Sequence, residues 1–282
     1  MTMTHLAAAA ANFGRDLDEA YAQITHLVAE ARSRDVALLA LPEAALGGYL
    51  STLHTDGDGP DSLPPVLDLD GPELRRVAEI AGDMTVVVGF CEADGPTRYN
   101  SAAALTGDGV IGVHRKVHQP LGENLYYQAG DVYETFETPV GRVGMLICYD
   151  KAFPEAARAL ALDGAEIVAC ISAWPSSRTA GASDIAEDRW TTRFNLFDQA
   201  RALENQIVWL AANQVGTFGS MRFVANAKVV GPGGDVLATT GTEAGLAIAG
   251  LDVEAALATA RRSMFHLRDR RPDTYTKAPA HA

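Results

Sequence analysis

Short, continuous hydrophobic runs alternate along the chain with longer stretches whose apolar residues recur at helical spacing. His5–Ala11 reads as a first strand. Asp16 then stands where a helix cap belongs, with Leu17, Tyr21, Ile24 and Val28 forming one apolar stripe to about Arg34. Val36–Leu41 is apolar at every position, which suits a strand covered on both faces. A helix over Glu73–Gly82 leads into a strand at Thr85–Phe90. Ser101–Leu105 and Val110–Lys116 then flank Thr-Gly-Asp-Gly, a hairpin signal.

The same grammar returns in the second half. Val143–Cys148 is a strand, Pro154 opens a helix that Gly164 ends, and Glu166–Ser172 is a strand. A helix at Arg189–Asn205 precedes a strand at Ile207–Ala212. Ala225–Val230 and Val236–Thr240 flank Gly-Pro-Gly-Gly-Asp, and Gly245–Leu251 closes the series before a helix at Val253–Arg262. Such alternation predicts α/β layers, with two similar halves packing sheet against sheet. With no linker rich in Pro, Ser or Gly, residues 1–271 read as one domain and 272–282 as a loosely held tail.

Composition narrows the setting. A hydrophobic content of 48% fits a globular core, and a net charge of −13 argues against nucleic acid or an anionic membrane as partner. The N-terminal segment lacks a basic region, and no apolar run has the length of a membrane span. The three cysteines form no CxxC pair and no zinc spacing, so free thiols in a reducing cytoplasm are expected.

The chemistry gathers at strand ends, where α/β architectures open onto ligands. Glu43, Lys116 and Cys148 each stand at such a place. Singly, each is more often structural or solvated. Cys170 lies inside an apolar run and Cys91 precedes a polar turn, whereas Cys148 precedes a turn into a helix start, which favours a thiolate. Free cysteine is only a few per cent ionised at neutral pH, so a base is needed. Burial of Glu43 beside Leu41, Pro42 and Leu46 would raise its basicity. A lysine ammonium would favour the thiolate and hold an oxyanion. The three make a workable set for acyl transfer.

In these segments the sequence resembles the nitrilase superfamily of carbon–nitrogen hydrolases. The matching stretches are LALPEAALGGY around Glu43, HRKVHQP around Lys116 and GMLICYDKAFPEAARALALDGAEIV around Cys148. Similarity continues through DQARALENQIVWLAANQVG, VVGPGGDVLATTG and LRDRRPDTY. The resemblance implies a four-layer αββα sandwich, a Glu43–Lys116–Cys148 triad, no cofactor or metal, and a homodimer or higher homo-oligomer. It also singles out Glu123, at the place where amidase-type members carry a second glutamate that orients the substrate amide, although QAGD here replaces the usual PGD ending. With Glu43 and Glu123 ionised, Lys116 charged and Cys148 a thiol, the site carries one net negative charge. Proton transfer from Cys148 to Glu43 leaves that total unchanged.

The implied reaction is hydrolysis of a small primary amide, with the Tyr149 N–H and Lys116 holding the oxyanion. From the residues alone, Tyr49 in LGGYL and Trp174 in SAWP either line the pocket or pack in the core. The CYD string is closer to amidases than to nitrilases with Trp-Glu after the cysteine. Short aliphatic amides are favoured because no basic residue near the motifs stands out as a carboxylate clamp. N-carbamoyl amines and ω-amides are the alternatives, and a catalytically silent binding homologue is the reading from a different class. His114 and His118 flank Lys116 without a local carboxylate or thiol, and a metal site is not favoured.

Overall fold

The alanine run near the start folds as a strand, β1 (Thr4–Ala11), although alanine is the strongest helix former. Tertiary burial decides the outcome, since both faces of β1 are covered. The structure, a computed structural model, describes residues 3–51 and 63–275. After β1 come α1 (Leu17–Arg32), β2 (Val36–Ala40), α2 (Pro72–Ala81), β3 (Thr85–Asp94), β4 (Thr97–Thr106) and β5 (Gly109–Arg115). The second half contributes β6 (Thr135–Thr138), β7 (Gly141–Ile147), α3 (Pro154–Leu162), β8 (Ile167–Ser172), α4 (Arg189–Asn205) and β9 (Val208–Phe218). Beyond these lie β10 (Met221–Val224), β11 (Lys228–Val230), β12 (Val236–Thr239), β13 (Gly245–Leu251) and α5 (Val253–Ser263).

The strands run in the order β5-β4-β3-β2-β1-β9-β8-β7-β6, with β13 antiparallel to β1. The two halves join where β1 meets β9, Ala10 opposite Asn213 and Ala11 opposite Gln214. From that join they fold face to face, β3 against β8 and β4 against β7. Strand alternation sorts the side chains. Leu6, Ala8, Leu38, Ala40, Val87 and Ala102 share a buried cluster with Met145, Ile147 and Ile171 of the other half. Ala7, Ala9, Leu39, Val86 and Ala103 face outward onto Ile24 and Val28 of α1 and Val77 of α2. Helices α3 and α4 cover the second sheet through Ala157, Leu160, Phe194 and Ala202. The result is a four-layer αββα sandwich. Alanines on the facing surfaces let the two sheets approach closely.

Several boundaries differ from the sequence expectation. Strand β3 runs past Phe90 to Asp94 and β4 starts at Thr97, so Cys91 lies within a paired strand and not before a polar turn. Strand β7 stops at Ile147 and Cys148 opens a one-turn 3₁₀ helix (Cys148–Ala152), six residues before α3 begins at Pro154. Ala225 and Asn226 have φ of 54° and 59°, outside the strand region, so β11 starts only at Lys228. Strand β9 runs on to Phe218 and turns through Gly219 into β10. Of the tail, Pro272–Tyr275 forms a single helical turn and the rest lies outside the described residues. Among the described residues no helix is long and apolar enough to cross a membrane.

Candidate active site

Strand β2 ends at Ala40, Leu41 still donates to the Val87 carbonyl at 2.9 Å, and Pro42, which has no N–H to extend the ladder, leads into Glu43. Its carboxylate is fully buried. Oε1 accepts from Asn100 Nδ2 at 2.7 Å and from Lys116 Nζ at 2.8 Å, while Oε2 accepts from the Ala173 N–H at 2.6 Å. The backbone is fixed too. Gln214 Nε2 donates to the Glu43 carbonyl at 3.0 Å, and the Glu43 N–H donates to Ser172 O at 3.3 Å. Gly89 on β3 makes room for this segment, since a Cβ there would sit 2.8 Å from Glu43 Cα and clash with the Ala44 nitrogen.

Lys116 comes directly after β5, and its N–H donates to the Asn100 carbonyl at 2.8 Å. Asn100 thus holds Glu43 with its side chain and Lys116 with its backbone. The Lys116 ammonium is fully buried and bonds both Glu43 and, at 2.7 Å, Glu123 Oε1. The buried Tyr49 hydroxyl donates to the same Glu123 oxygen. Glu123 Oε2 is buried and has no hydrogen-bond partner among the described residues. Buried polar atoms are nearly always paired, so this oxygen is ready to accept from a ligand donor.

Cys148 has φ of 51°, in the left-handed region that non-glycine residues seldom occupy. What holds it there is Asp150, two residues on and fully buried. Asp150 Oδ2 accepts from the Ile147 N–H at 3.2 Å and lies 3.1 Å from His114 Nε2. Its Oδ1 accepts from the His118 N–H at 2.8 Å and lies 3.1 Å from His118 Nδ1. The two histidines that flank Lys116 therefore grip the carboxylate that shapes the Cys148 turn. Among the described residues no group of three or more potential ligands is arranged to hold a metal.

Lys151 fixes the other end of the turn. Its ammonium bonds Asp198 Oδ1 of α4 at 2.8 Å, and Lys228 of β11 bonds Asp198 Oδ2 at 2.7 Å. Trp209 Nε1 also donates to Asp198, at 3.0 Å, and both ammonium groups lie over the Phe194 ring.

Burial sets the proton affinities. It pushes the Cys148 thiol well above its ordinary range, Glu43 and Glu123 push the same way, and Lys116 opposes them. The resting sulfur is a thiol. Burial also raises the Glu123 carboxyl from 4.5 to about 7, with Lys116 opposing and Glu43 adding to the rise. Burial disfavours the Lys116 charge, but Glu123 and Glu43 outweigh it and hold the ammonium protonated. Two carboxylates share one ammonium, so one of them readily keeps a proton. The charge count made from sequence, with both glutamates ionised, overstates the negative charge near neutrality.

Cys148 opens onto a cavity of about 870 Å³. Tyr49, Tyr149 and Trp174 line it, as do Trp190, Phe197 and two arginines, Arg178 and Arg193. Sequence reasoning missed Asn100, Asp150 and both arginines. Asp150 had a signal in the CYD string. Arg178 and Arg193 lie 30 and 45 residues beyond Cys148 in sequence (178 − 148 and 193 − 148), and only the fold brings them to the pocket.

On this frame the chain takes its place in the nitrilase superfamily, whose sandwich it shares with solved structures. More narrowly, it belongs to the carbon–nitrogen hydrolase family, whose model matches residues 5–261. A carbon–nitrogen hydrolase from Helicobacter pylori G27 superposes with a TM-score of 0.81 at 25% identity, covering 97% of each chain. An (R)-stereoselective amidase from a Pseudomonas species is 34% identical, covering 92% of this chain and 88% of its own. The N-carbamoylputrescine amidase of Arabidopsis thaliana is 28% identical over 92% of this chain and 90% of its own. The family makes the chain a hydrolase of non-peptide carbon–nitrogen bonds.

Proposed function

We propose that the chain hydrolyses a small primary amide to the carboxylic acid and ammonia through a thioester on Cys148. The observation that carries this reading is the fully buried Glu43–Lys116 pair, bonded at 2.8 Å, acting electrostatically on a thiol at a cavity wall. Glu43 accepts the Cys148 proton as sulfur attacks the carbonyl carbon. The oxyanion is held by Lys116 and by the N–H of Tyr149, which as the second residue of the 3₁₀ turn has no carbonyl within that turn to bond. Collapse breaks the C–N bond, and Glu43 returns the proton to the departing ammonia. Water, deprotonated by Glu43, then attacks the thioester and releases the acid and the thiol.

The orphaned Glu123 Oε2 supports an orienting role, since it could accept an amide N–H from the substrate. The relatives named N-carbamoylputrescine amidase favour an N-carbamoyl amine as the second reading. Both readings need the same nucleophile. Cys148→Ala should abolish ammonia release from primary amides while leaving the thermal unfolding transition in place. Burial raises all three thiols, but Cys148 lines the cavity and has the Lys116 ammonium acting on it, so in the native protein iodoacetamide should label Cys148 far faster than Cys91 or Cys170. Retained turnover in the alanine variant, or equal slow labelling of all three thiols, would remove Cys148 from the mechanism and favour a silent binding homologue.

A further inference from the structure

Behind the Cys148 turn, two ammonium groups share one carboxylate. Lys151, Asp198 and Lys228 are all buried, with 0%, 0% and 2% of their surface exposed. Burial works against the Asp198 charge, but Lys151 and Lys228 outweigh it and keep the carboxyl ionised. While both lysines are protonated, the cluster therefore carries one uncompensated positive charge. Burying such a charge costs stability. Phe194 presents its ring to both ammonium groups, 3.1 Å and 4.2 Å from its centroid, and the Asn226 carbonyl accepts from Lys228 at 2.6 Å. These contacts hold the charge without cancelling it.

The cluster connects directly to the turn that carries the nucleophile. Helix α4 grips Lys151 twice. Asp198 binds its ammonium at 2.8 Å, and Arg201, one turn on, donates Nε to its carbonyl at 2.8 Å. Arg201 Nη2 donates to the Ala152 carbonyl at 3.2 Å, while its Nη1 is met by Glu204 at 2.8 Å. Lys151 follows closely on Cys148 and on Tyr149, the residue whose N–H faces the oxyanion in the proposed reaction. Burial, Glu43 and Glu123 disfavour the Cys148 thiolate, and Lys151 joins Lys116 in opposing them. How much of the Lys151 charge reaches the sulfur depends on Lys228. With Lys228 protonated, Asp198 is divided between two cations and Lys151 keeps a net positive field. With Lys228 neutral, Asp198 cancels Lys151.

We propose that Lys228 is a positioning residue for the amide hydrolysis, drawing on Asp198 so that the Lys151 ammonium remains free to stabilise the thiolate and oxyanion at the Cys148 turn. This rests on Cys148 as the nucleophile. Lys228 acts only through Asp198 and Lys151. Burial lowers its ammonium to about 8, with Asp198 opposing and Lys151 adding to the fall. The remaining titratable group that acts on it is Cys170 of β8, which burial raises to about 12 and so keeps a neutral thiol through this range. As pH rises through about 8, Lys228 gives up its proton and the excess charge behind the turn is lost. The developing anion loses support, so kcat falls. KM for a neutral amide stays put, because the uncharged ground state does not draw on that charge.

The test follows kcat and KM for a neutral primary amide from about pH 7 to about pH 9.5 in the wild type, Lys228→Met and Lys228→Arg. One unit charge acting through protein at an effective dielectric of about 20 alters a rate roughly 3- to 10-fold. Wild-type kcat should fall by that factor to a lower plateau, with a midpoint near 8 and KM unchanged. Lys228→Met should sit near the lower plateau throughout, and Lys228→Arg, whose guanidinium stays protonated, should hold the upper one. Either variant decides alone if the other does not fold. The Trp209 indole N–H, which donates to Asp198 at 3.0 Å, reads the titration without turnover. Its NMR signal should shift with the same midpoint in the wild type and in Cys148→Ala, and in neither Lys228 variant. An alkaline fall in kcat that persists in the variants, or a Trp209 signal that does not move, overturns the proposal. Cys148→Ala separates this from failure of the nucleophile. If it is inactive and the other profiles run parallel, Lys228 alone is refuted; if it is active, the thioester route falls and the proposal with it.

Discussion

Glu123 shares one ammonium with Glu43, and its raised proton affinity has a thermodynamic consequence. Between 4.5 and about 7 the native carboxyl binds a proton that the unfolded chain has released. Stability is therefore fullest below that window and falls as pH rises through it. Glu123→Gln should lack this decline. Denaturant unfolding of both proteins from pH 5 to 8 should show the variant gaining on the wild type by roughly 3 kcal/mol across the interval. Parallel curves would mean that Glu123 titrates alike in both states. The glutamate itself was legible through its resemblance to amidase sequences. The competition for Lys116 was not, because it depends on Tyr49 and Glu43 arriving from 74 and 80 residues upstream (123 − 49 and 123 − 43). Cys148 could be told from Cys91 and Cys170 by the turn and helix start on its C-terminal side, but its left-handed backbone could not be foreseen, since nothing in ICYD is a glycine.

At the scale of elements, Asp150 joins two short segments that carry the chemistry, the turn holding Cys148 and the stretch from His114 to His118 around Lys116. Four of its contacts reach those segments, from Ile147, His114 and twice from His118. Hydrogen bonds from both histidines, opposed by burial, hold its carboxyl well below the ordinary 3.8. A depressed carboxyl contributes stability above that ordinary value and loses it as pH falls toward the folded value. Asp150→Asn should cost about 1–3 kcal/mol at neutral pH, with the gap to wild type narrowing in acid below about 4. Thermal unfolding at pH 7 and pH 3 measures both. The major strands and helices were readable because their apolar spacing persists over several residues. Strand β6 was not, since Thr-Phe-Glu-Thr is short, half polar and lies at the end of the strand order. Strand β10 escaped notice because Gly219 and Ser220 interrupt what is one hairpin with β9.

Across the whole molecule, Asp198 ties together the Cys148 turn, α4 and β11. It is the shared counter-ion of Lys151 and Lys228, and burial lowers the Lys228 ammonium to about 8 despite that carboxylate. Asp198→Ala would leave two buried cations without a counter-ion, and a loss of about 3–5 kcal/mol is expected by denaturant titration. Adding Lys228→Met should recover part of it, because removing a buried charge together with its partner is far milder than stranding one. The sandwich was legible from the repeated order of elements. The ion cluster within it was not, because Lys151, Asp198 and Lys228 lie in unrelated stretches of sequence.

The join between the halves has a further consequence for how the protein comes into being. Glu43, Asn100 and Lys116 belong to the first half, whereas Cys148 and the Ala173 N–H that steadies Glu43 belong to the second. A chain emerging from the ribosome presents Glu43 and Lys116 before Cys148 has been made. Arming the thiol is a docking event, and a half-made molecule carries only an ordinary cysteine.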